Sequence, residues 1–524
     1  MANKYIIVTG GVLSGIGKGV VSASVGKIMK ESGIKVNSLK VDPYLNVDAG
    51  TMNPNQHGEV FVTADGYEAD LDLGHYERFL GIDMKKQNSL TAGQIYKTVI
   101  EKEREGKYLG GTVQMVPHVT EEVKERIEAI DTDLLLIEIG GTVGDIEGEI
   151  FLEAVRELSM EKGRENFMFI HVTFVPYLAV TNEFKTKPTQ QSVQLLRRIG
   201  IHPDMLVIRT ERAIEISAIE KIALFAGVKS DYVINLPDLN NIYEVPETLH
   251  KMDVHKLIAK VLDLSVADKL NWTCPRTFKN LRIALIGKYL GTDDAYKSIM
   301  ESIFLCGVKK PELVDSEMIE ELDEEGIKST LTKFDGIIIP GGFGKRGVEG
   351  KIKAVKFARE NNMPILGICL GMQVMVIESA RNVSKIENAN SSEFDPETIN
   401  PVIDIMEEQK KILNIGGTMR LGIQKTEIVK GTKLYEIYEQ KNFVDERHRH
   451  RYEVNYEKYK TIFSENIDDN ILRVSGKSDF VEAVEIYNHP FFVGVQFHPE
   501  YSSKLDNPHP IFKKFIETIT KIKL

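Results

Sequence analysis

Two groups of residues in this 524-residue chain have the types and spacing of chemical machinery. The first is the run Pro364-Ile-Leu-Gly-Ile-Cys369-Leu-Gly371, followed about 130 residues later by His498-Pro499-Glu500. Glycines on both sides of a cysteine suit a sharp strand-to-helix turn, which exposes one thiol where a helix N-terminus favours its thiolate. A histidine and a carboxylate two residues apart supply a base and the group that orients it. Together they describe acyl transfer through a thioester. A lone cysteine is usually a core residue and a His-Pro pair a surface turn, but both halves in one domain outweigh that plain reading.

The second group follows the first apolar run: Thr9-Gly-Gly-Val-Leu-Ser14-Gly-Ile-Gly-Lys18-Gly-Val20. Glycines let backbone N–H groups approach phosphate oxygens, Lys18 adds a point charge, and the helix N-terminus adds its dipole. The P-loop pattern is imperfect. Counting back from Gly17-Lys18 places its first glycine at Val12, and Gly19 stands where a Ser or Thr usually touches Mg²⁺. Carboxylates must then hold the metal. Glu138, an acid at the end of a buried strand before a diglycine turn, and the Asp70-Leu-Asp72 loop offer them, and we assign Asp72 and Glu138 jointly to Mg²⁺. Lys185 and Lys187, in the hydroxyl-rich run Lys185-Thr-Lys-Pro-Thr-Gln190, and Lys221 are placed for a second phosphate chain.

Those residues need two scaffolds. The length exceeds what one hydrophobic core normally holds. The first half alternates short apolar strands with helical segments, predicting an α/β fold with a mainly parallel sheet. Expected strands are Tyr5–Thr9, Val36–Val41, Thr112–Val116, Leu134–Ile139, Phe167–Val175, Met205–Arg209 and Tyr232–Leu236; helical spacing covers 20–31 and 91–105. The pattern restarts at Leu281, which predicts domains at 1–266 and 281–524 joined by a linker at 267–280.

Composition is that of an ordinary soluble globular protein, 42% hydrophobic and 27% charged. A net charge of −11 argues against general nucleic-acid binding, and no apolar run reaches the roughly 18 residues of a membrane span. Three scattered cysteines form neither a disulfide framework nor a zinc site, which fits a reducing cytoplasm. The basic run Arg447-His-Arg-His-Arg451, inside an acidic domain, suggests a carboxylate or anion site.

The runs Thr9–Gly19, Lys40–Tyr44, His57–Phe61, Asp70–Phe79, Glu138–Glu147, Lys185–Gln190, Pro340–Gly347, Gly367–Gln373, Gly416–Gly422, Arg447–Tyr452 and His498–Glu500 closely resemble the CTP synthase family, in order along the chain. The resemblance implies an N-terminal P-loop-like amidoligase and a C-terminal class I glutamine amidotransferase. Its reaction is ATP + UTP + glutamine + H₂O → CTP + ADP + phosphate + glutamate. By the same resemblance, ATP meets Gly15, Ile16, Gly17, Lys18, Gly19, Val20, Asp72, Pro237, Asp238 and Leu239. UTP meets Ser14, Lys185, Thr186, Lys187, Pro188, Thr189, Gln190 and Lys221; the inhibitor CTP shares the triphosphate site and sets its base near Asp145, Ile146, Glu147 and Phe225. Cys369 is the nucleophile, His498 the base, Glu500 its orienter, with an oxyanion hole from Gly341-Gly342 and Leu370. Glutamine is held near Gly342, Leu370, Gly371, Met372, Gln373, Glu393 and Arg451. Lys40 joins Lys18, Asp72, Glu138 and Mg²⁺ in phosphoryl transfer. GTP activation maps near Gly416–Gly422 and Arg346, an enclosed ammonia route near Asn53–Glu59 with His57, and assembly is as a homotetramer. An ATP-dependent amidase acting on a carboxylate is the rival, distinguished by ADP release that does not need UTP.

Overall fold

Uninterrupted runs of Val, Ile and Leu, as at Leu134–Ile139, cannot present a wet face, so each builds a strand covered on both sides. The computed structural model describes residues 3–405, 419–464, 466 and 470–523. The chain divides into two units: Met1–Thr51 with Asp72–Cys274, and Met52–Leu71 with Pro275–Leu524.

The first unit holds a seven-stranded sheet. Its strands are β1 (Lys4–Gly10), β2 (Val36–Asp42), β3 (Ser89–Thr91), β4 (Leu134–Ile139), β5 (Phe167–Phe174), β6 (Met205–Thr210) and β7 (Val233–Pro237), in the order β7-β6-β5-β1-β4-β2-β3. Every pairing is parallel. Parallel strands need crossovers, and helices supply them, including α1 (Lys18–Glu31) and α3 (Lys187–Arg198); α2 (Asp72–Leu80) packs on α1. The chain leaves β1 toward one side of the sheet and later returns to fill the other. That reversal opens a crevice beyond the carboxyl ends of the central strands, where open α/β sheets bind ligands. Register places Val8 beside Glu138 and Glu138 beside Lys40, so these chemically equipped positions share one end of the sheet.

One expected strand is corrected. Thr112–Val116 is not a strand: Met115–Val119 forms a π-helical turn, and the Gln114 N–H donates to His118 Nδ1 at 3.1 Å instead of to a sheet neighbour. Pro117 lacks a ladder donor and most of the segment is exposed: Val113 rests against the edge of the core while Val116 faces outward, which is no strand's burial pattern. The sheet edge comes instead from Ser89–Thr91, too short to show a period. Trp272 donates its indole N–H to the Tyr243 carbonyl at 2.6 Å and stacks near Phe79, keeping the chain up to Cys274 in the first unit.

In the second unit the strands are β8 (Ile283–Gly287), β9 (Glu312–Asp315), β10 (Gly336–Ile339), β11 (Ile365–Ile368), β12 (Arg420–Ile428), β13 (Phe443–His450), β14 (Arg473–Lys477), β15 (Val481–Glu485) and β16 (Phe492–Val495). They form one nine-stranded sheet ordered β9-β8-β10-β11-β16-β15-β14-β12-β13. The pairings from β9 through to β16 are parallel and the rest antiparallel. Helices α4 (Val348–Glu360) and α5 (Leu370–Asn382) follow β10 and β11.

Residues 52–71 belong to this second unit and interrupt the span 1–266 expected for the first. They carry a two-residue strand pair, Phe61–Val62 with Glu68–Ala69. The segment is fixed by hydrogen bonds to buried groups. Both Glu59 carboxylate oxygens accept from the Ser298 N–H at 2.9 Å. The Arg447 guanidinium donates to the Val62 carbonyl at 3.1 Å, and the Arg449 Nε donates to Glu68 at 2.7 Å. Among the described residues no helix is long and apolar enough to cross a membrane.

Candidate functional site

Cys369 is the hinge between β11 and α5, with φ 52° and ψ −105°. A side chain held at positive φ is strained, and such strain persists only where surrounding structure enforces it. Here the Cys369 N–H donates to the Val495 carbonyl at 2.7 Å, tying the turn to the neighbouring strand. Gly371 allows the turn to close, since a Cβ there would lie 2.2 Å from the Ile339 carbonyl oxygen. The thiol faces the Arg449 carbonyl at 3.7 Å, and Gln496 Nε2 donates to its sulfur at 3.6 Å. Gln496 is itself held by Gln373, whose Nε2 reaches the Gln496 Oε1 at 3.1 Å and the Tyr452 carbonyl at 3.0 Å.

His498 leaves the end of β16, and its Nδ1 meets Glu500 Oε1 at 2.7 Å. Burial opposes a charged ring, yet the Glu500 carboxylate and the Cys369 thiolate outweigh it and push His498 up to about 10. Tyr501 stacks on the imidazole at a centroid distance of 4.9 Å, and its hydroxyl donates to the Val60 carbonyl at 2.9 Å. The segment 52–71 thus supports the His498 ring through Tyr501. A Cβ on Gly341 would lie 3.0 Å from His498 Cε1 and 3.6 Å from Cys369 Cβ, so this turn borders the same small space.

The residues expected around glutamine separate into two kinds. Glu393 accepts from the Gly344 N–H at 2.6 Å; burial raises its pKa, against the Gly344 hydrogen bond and the Lys288 and Arg451 cations. Gly342 lies against Leu370. By contrast, the Met372 and Leu370 side chains are in the apolar core, leaving their backbone to face a ligand. The basic run is not a continuous anion site. Arg447, His448 and His450 are buried. Burial, together with the Arg420 cation, holds both histidines well below the ordinary range, and Arg449 pairs with Glu68, which leaves Arg451 near Glu393.

In the first unit, Lys18 is buried and its ammonium donates to the Gly141 carbonyl at 2.6 Å. Burial lowers its pKa, with Lys40 adding to that and Glu138, Asp72 and Asp42 opposing. A Cβ on Gly19 would sit 2.3 Å from Asp72 Oδ1. The carboxylate therefore takes the room that a Ser or Thr side chain would fill. Lys40 gathers the acids: it bonds Asp72, reaches Glu138 Oε1 at 2.9 Å and stands 3.7 Å from Asp42. Tyr76 donates to the other Glu138 oxygen. Burial raises Asp72, but Lys40, His75 and Lys18 overcome it and bring the acid to about 2. For Asp42 burial prevails over Lys40, with help from Asp72 and Glu138, and lifts it to about 6. Converging carboxylates beside a lysine-bearing glycine loop are the donor set Mg²⁺ takes, one or two acids with phosphate and water completing it.

The other expected nucleotide positions connect to this loop. Arg209 donates to Asp238 at 2.7 Å and to the Ile16 carbonyl at 3.5 Å, linking Pro237–Leu239 to the glycine run. His171 joins Thr9 to Ser192 on α3, each at 2.8 Å, which brings the N-terminal part of α3 toward the loop. On α3, Lys187 is exposed and Pro188 sits in the first turn, while Thr189 is buried and donates to the Phe174 carbonyl at 3.1 Å. Gln190 donates to Thr186. Lys185 and Lys221 both act on Glu183, so they share a surface. Ser14, Asp145, Ile146 and Glu147 are exposed. Arg346 pairs with Glu317 at 3.1 Å; Gly416 to Thr418, expected near GTP, lie outside the described residues, and Arg420 turns inward to Glu453 and Glu482. Sequence reasoning gave no role to Asp42, Tyr76, Gln496 or Tyr501. Their only signal was proximity in the chain to Lys40, Asp72 and His498.

Fold and sites together define a class, a ligase with a phosphate loop joined to a class I glutamine amidotransferase. Family descriptions agree with that division: "CTP synthase N-terminus" matches residues 4–264 and "Glutamine amidotransferase class-I" residues 292–518. The CTP synthase of Thermotoga maritima is 66% identical over 511 residues, covering 97% of this chain and 98% of that one. That of Thermosipho africanus is 64% identical over 518 residues, covering 99% and 98%. The glutaminase domain of Trypanosoma brucei CTPS with bound acivicin is 38% identical over 46% of this chain and 94% of that one, with a TM-score of 0.42. The chain belongs to the CTP synthase family, whose members are ligases with glutaminase activity.

Proposed function

We propose that the protein aminates UTP to CTP at the expense of ATP, with ammonia cut from glutamine at Cys369. The observation that carries this reading is the strained Cys369 beside the His498–Glu500 pair, in one chain with the Lys18–Lys40–Asp72–Glu138 pocket. The Cys369 thiolate attacks the glutamine amide carbon, and His498, charged at neutral pH, gives its proton to the departing ammonia. His498 then takes a proton from water as it attacks the thioester, while Glu500 holds the ring. Backbone N–H groups at Gly342 and Leu370 receive the oxyanion. Gln496 and Gln373 fix the thiol's direction.

UTP's 4-oxygen leaves poorly, so it is first phosphorylated by ATP and then displaced by ammonia. Phosphoryl transfer asks for positioning and charge neutralisation. Lys18 and Lys40 supply cations, and the glycine loop supplies N–H donors. Asp72 and Glu138 are the residues that would hold Mg²⁺, which when bound neutralises phosphate charge. Gly15 to Val20 with Pro237–Leu239 bind ATP; Ser14, Lys185–Gln190 and Lys221 bind the UTP triphosphate; Asp145–Glu147 and Phe225 meet the base of CTP as inhibitor. Glu393 and Arg451 bind the amino and carboxylate ends of glutamine. Family kinship extends the reading to GTP activation, a homotetramer and a cytoplasmic setting.

A coupled assay following UTP absorbance as it changes to CTP tests the reading. Cys369→Ala should abolish glutamine-dependent synthesis and keep ammonia-dependent synthesis, whereas Lys18→Ala should stop both. Loss of both activities in Cys369→Ala, or ADP release without UTP in the wild type, would count against it.

A further inference from the structure

Lys351 lies on α4 with its side chain 1% exposed, behind the Gly341-Gly342 turn. Its ammonium is 4.0 Å from where a Cβ on Gly342 would stand, and the Gly341 position next to it borders Cys369 and His498. A second lysine, Lys288, approaches the same turn, its Cε 3.8 Å from the Gly342 position. Lys288 is engaged, since its ammonium donates to the Phe343 carbonyl. The Lys351 backbone N–H donates to the Gly347 carbonyl at 3.3 Å, but its ammonium has no hydrogen-bond or ion-pair partner among the described residues. Burial and the nearby Lys288 cation lower its pKa to about 7, and the Cys369 thiolate is the anion that pulls it back up.

A buried ammonium without a counter-ion is strongly disfavoured, and removing it is commonly neutral or stabilising. Its place behind the turn therefore has to be explained by a charge that appears during turnover. Glutamine hydrolysis creates that charge twice: on sulfur before attack, and on oxygen when the sulfur–carbon bond forms and the carbonyl π pair moves onto oxygen. Both lie at the turn in front of Lys351.

We propose that Lys351 is a positioning residue of the glutaminase reaction, its ammonium serving as the counter-charge to the Cys369 thiolate and to the oxyanion at the Gly341-Gly342 turn. The inference rests on Cys369 being the nucleophile. Lys351 forms no bond and moves no proton; His498 does that.

The test uses the full chain carrying Lys351→Met, a side chain of similar length without charge. Four quantities are compared with wild type: the pH dependence of Cys369 alkylation by iodoacetamide, kcat and KM for glutamine hydrolysis, ammonia-dependent CTP formation, and Tm. The alkylation midpoint should rise by about one pH unit and kcat fall roughly tenfold with KM little changed. Ammonia-dependent synthesis and Tm should hold, which reports an intact fold. Lys351→Arg, which keeps the charge, should return the alkylation midpoint toward wild type. An unchanged midpoint and kcat in Lys351→Met would overturn the proposal, as would Lys351→Arg behaving like Lys351→Met. Glutamine hydrolysis persisting in Cys369→Ala would instead bring down the nucleophile assignment and the proposal with it.

Discussion

At Gly19 the absence of one carbon has a definite chemical consequence. The residue is helical, so alanine there would be favoured by backbone propensity by about 1 kcal/mol. The Asp72 carboxylate, however, occupies the space, with Oδ1 2.3 Å from the added Cβ. Gly19→Ala should therefore push Asp72 away from Lys40, so that Tm gains nothing from propensity while ammonia-dependent CTP formation falls roughly a hundredfold, the scale of an ångström's misplacement in a reacting site. Comparing Tm with the synthetase rate checks this. A second expectation concerns His498, whose charged form is retained up to about pH 10 by Glu500 and the Cys369 thiolate against burial. Its pKa lies above the ordinary value, so the protonated ring is fully present below pH 6.5 and lost as pH rises through about 10. Glu500→Gln removes the larger of the two attractive charges. The alkaline limb of kcat for glutamine hydrolysis should then move toward neutrality, with kcat lowered by about 10 to 100-fold. An alkaline limb that stays in place would show that Glu500 does not set the ring's charge.

Much of the element scale could be read from the sequence where burial leaves a period or a run. Leu134–Ile139 appears at the expected bounds, and Thr91, at the start of the expected helix over 91–105, caps Ala92–Arg104 by accepting from the Gln94 N–H at 3.1 Å. Valines alone misled at Thr112–Val116, because Pro117 removes a ladder donor and all of the segment but Val113 is exposed, which leaves no buried strand face. Phe61–Val62 and Glu68–Ala69, which pair with each other, escaped for a different reason: two-residue strands show no alternation, and the arginines that hold them, Arg447 and Arg449, lie hundreds of residues away. Cys369, His498 and Glu500 were legible as a candidate group because turn glycines and a strand end mark them. Gln496, Tyr501 and Lys351 were not, since each acts through a neighbour that only folding supplies. Glu59 belongs with these. Its carboxylate accepts the Ser298 N–H at the start of the helix Lys297–Leu305, and the Ser298 hydroxyl as well. Both are bonds from neutral donors to a charged acceptor, set where a helix N-terminus favours negative charge. Glu59→Gln keeps the shape but loses the charge, and should lower the second unit's stability by about 1–3 kcal/mol, read as an earlier thermal transition. An unaltered transition would mean that the segment is held by its other contacts, those of Arg447, Arg449 and Tyr501 among them, without the Glu59 charge.

On the scale of the whole molecule, the boundary that composition suggests is not a safe place to cut. A chain starting at 275 would contain Cys369, His498, Glu500 and the entire nine-stranded sheet, yet lack residues 52–71, which fold with that unit. Three groups, buried Tyr501 and Arg447 and half-buried Arg449, would each lose a partner at once. The Tyr501 hydroxyl gives up the Val60 carbonyl, Arg447 gives up the Val62 carbonyl, and Arg449 gives up Glu68. Phe61 would also leave the Tyr501 ring, which it meets edge-on at 5.2 Å. Leaving a buried polar group such as the Tyr501 hydroxyl unpaired costs about 1–3 kcal/mol, and the lost arginine contacts add to it, against a domain's typical 5–15 kcal/mol. Loss of the Tyr501 anchor also frees the ring stacked on His498. The shortened chain should therefore unfold at lower denaturant than the second unit in the full protein, and its glutamine hydrolysis should drop at least tenfold through kcat. Full activity and stability in the shortened chain would show that residues 52–71 are a passenger on the second unit. Impaired function restored by adding a peptide of residues 52–71 would show the reverse: the chain commits part of its first half to building the site that cuts glutamine.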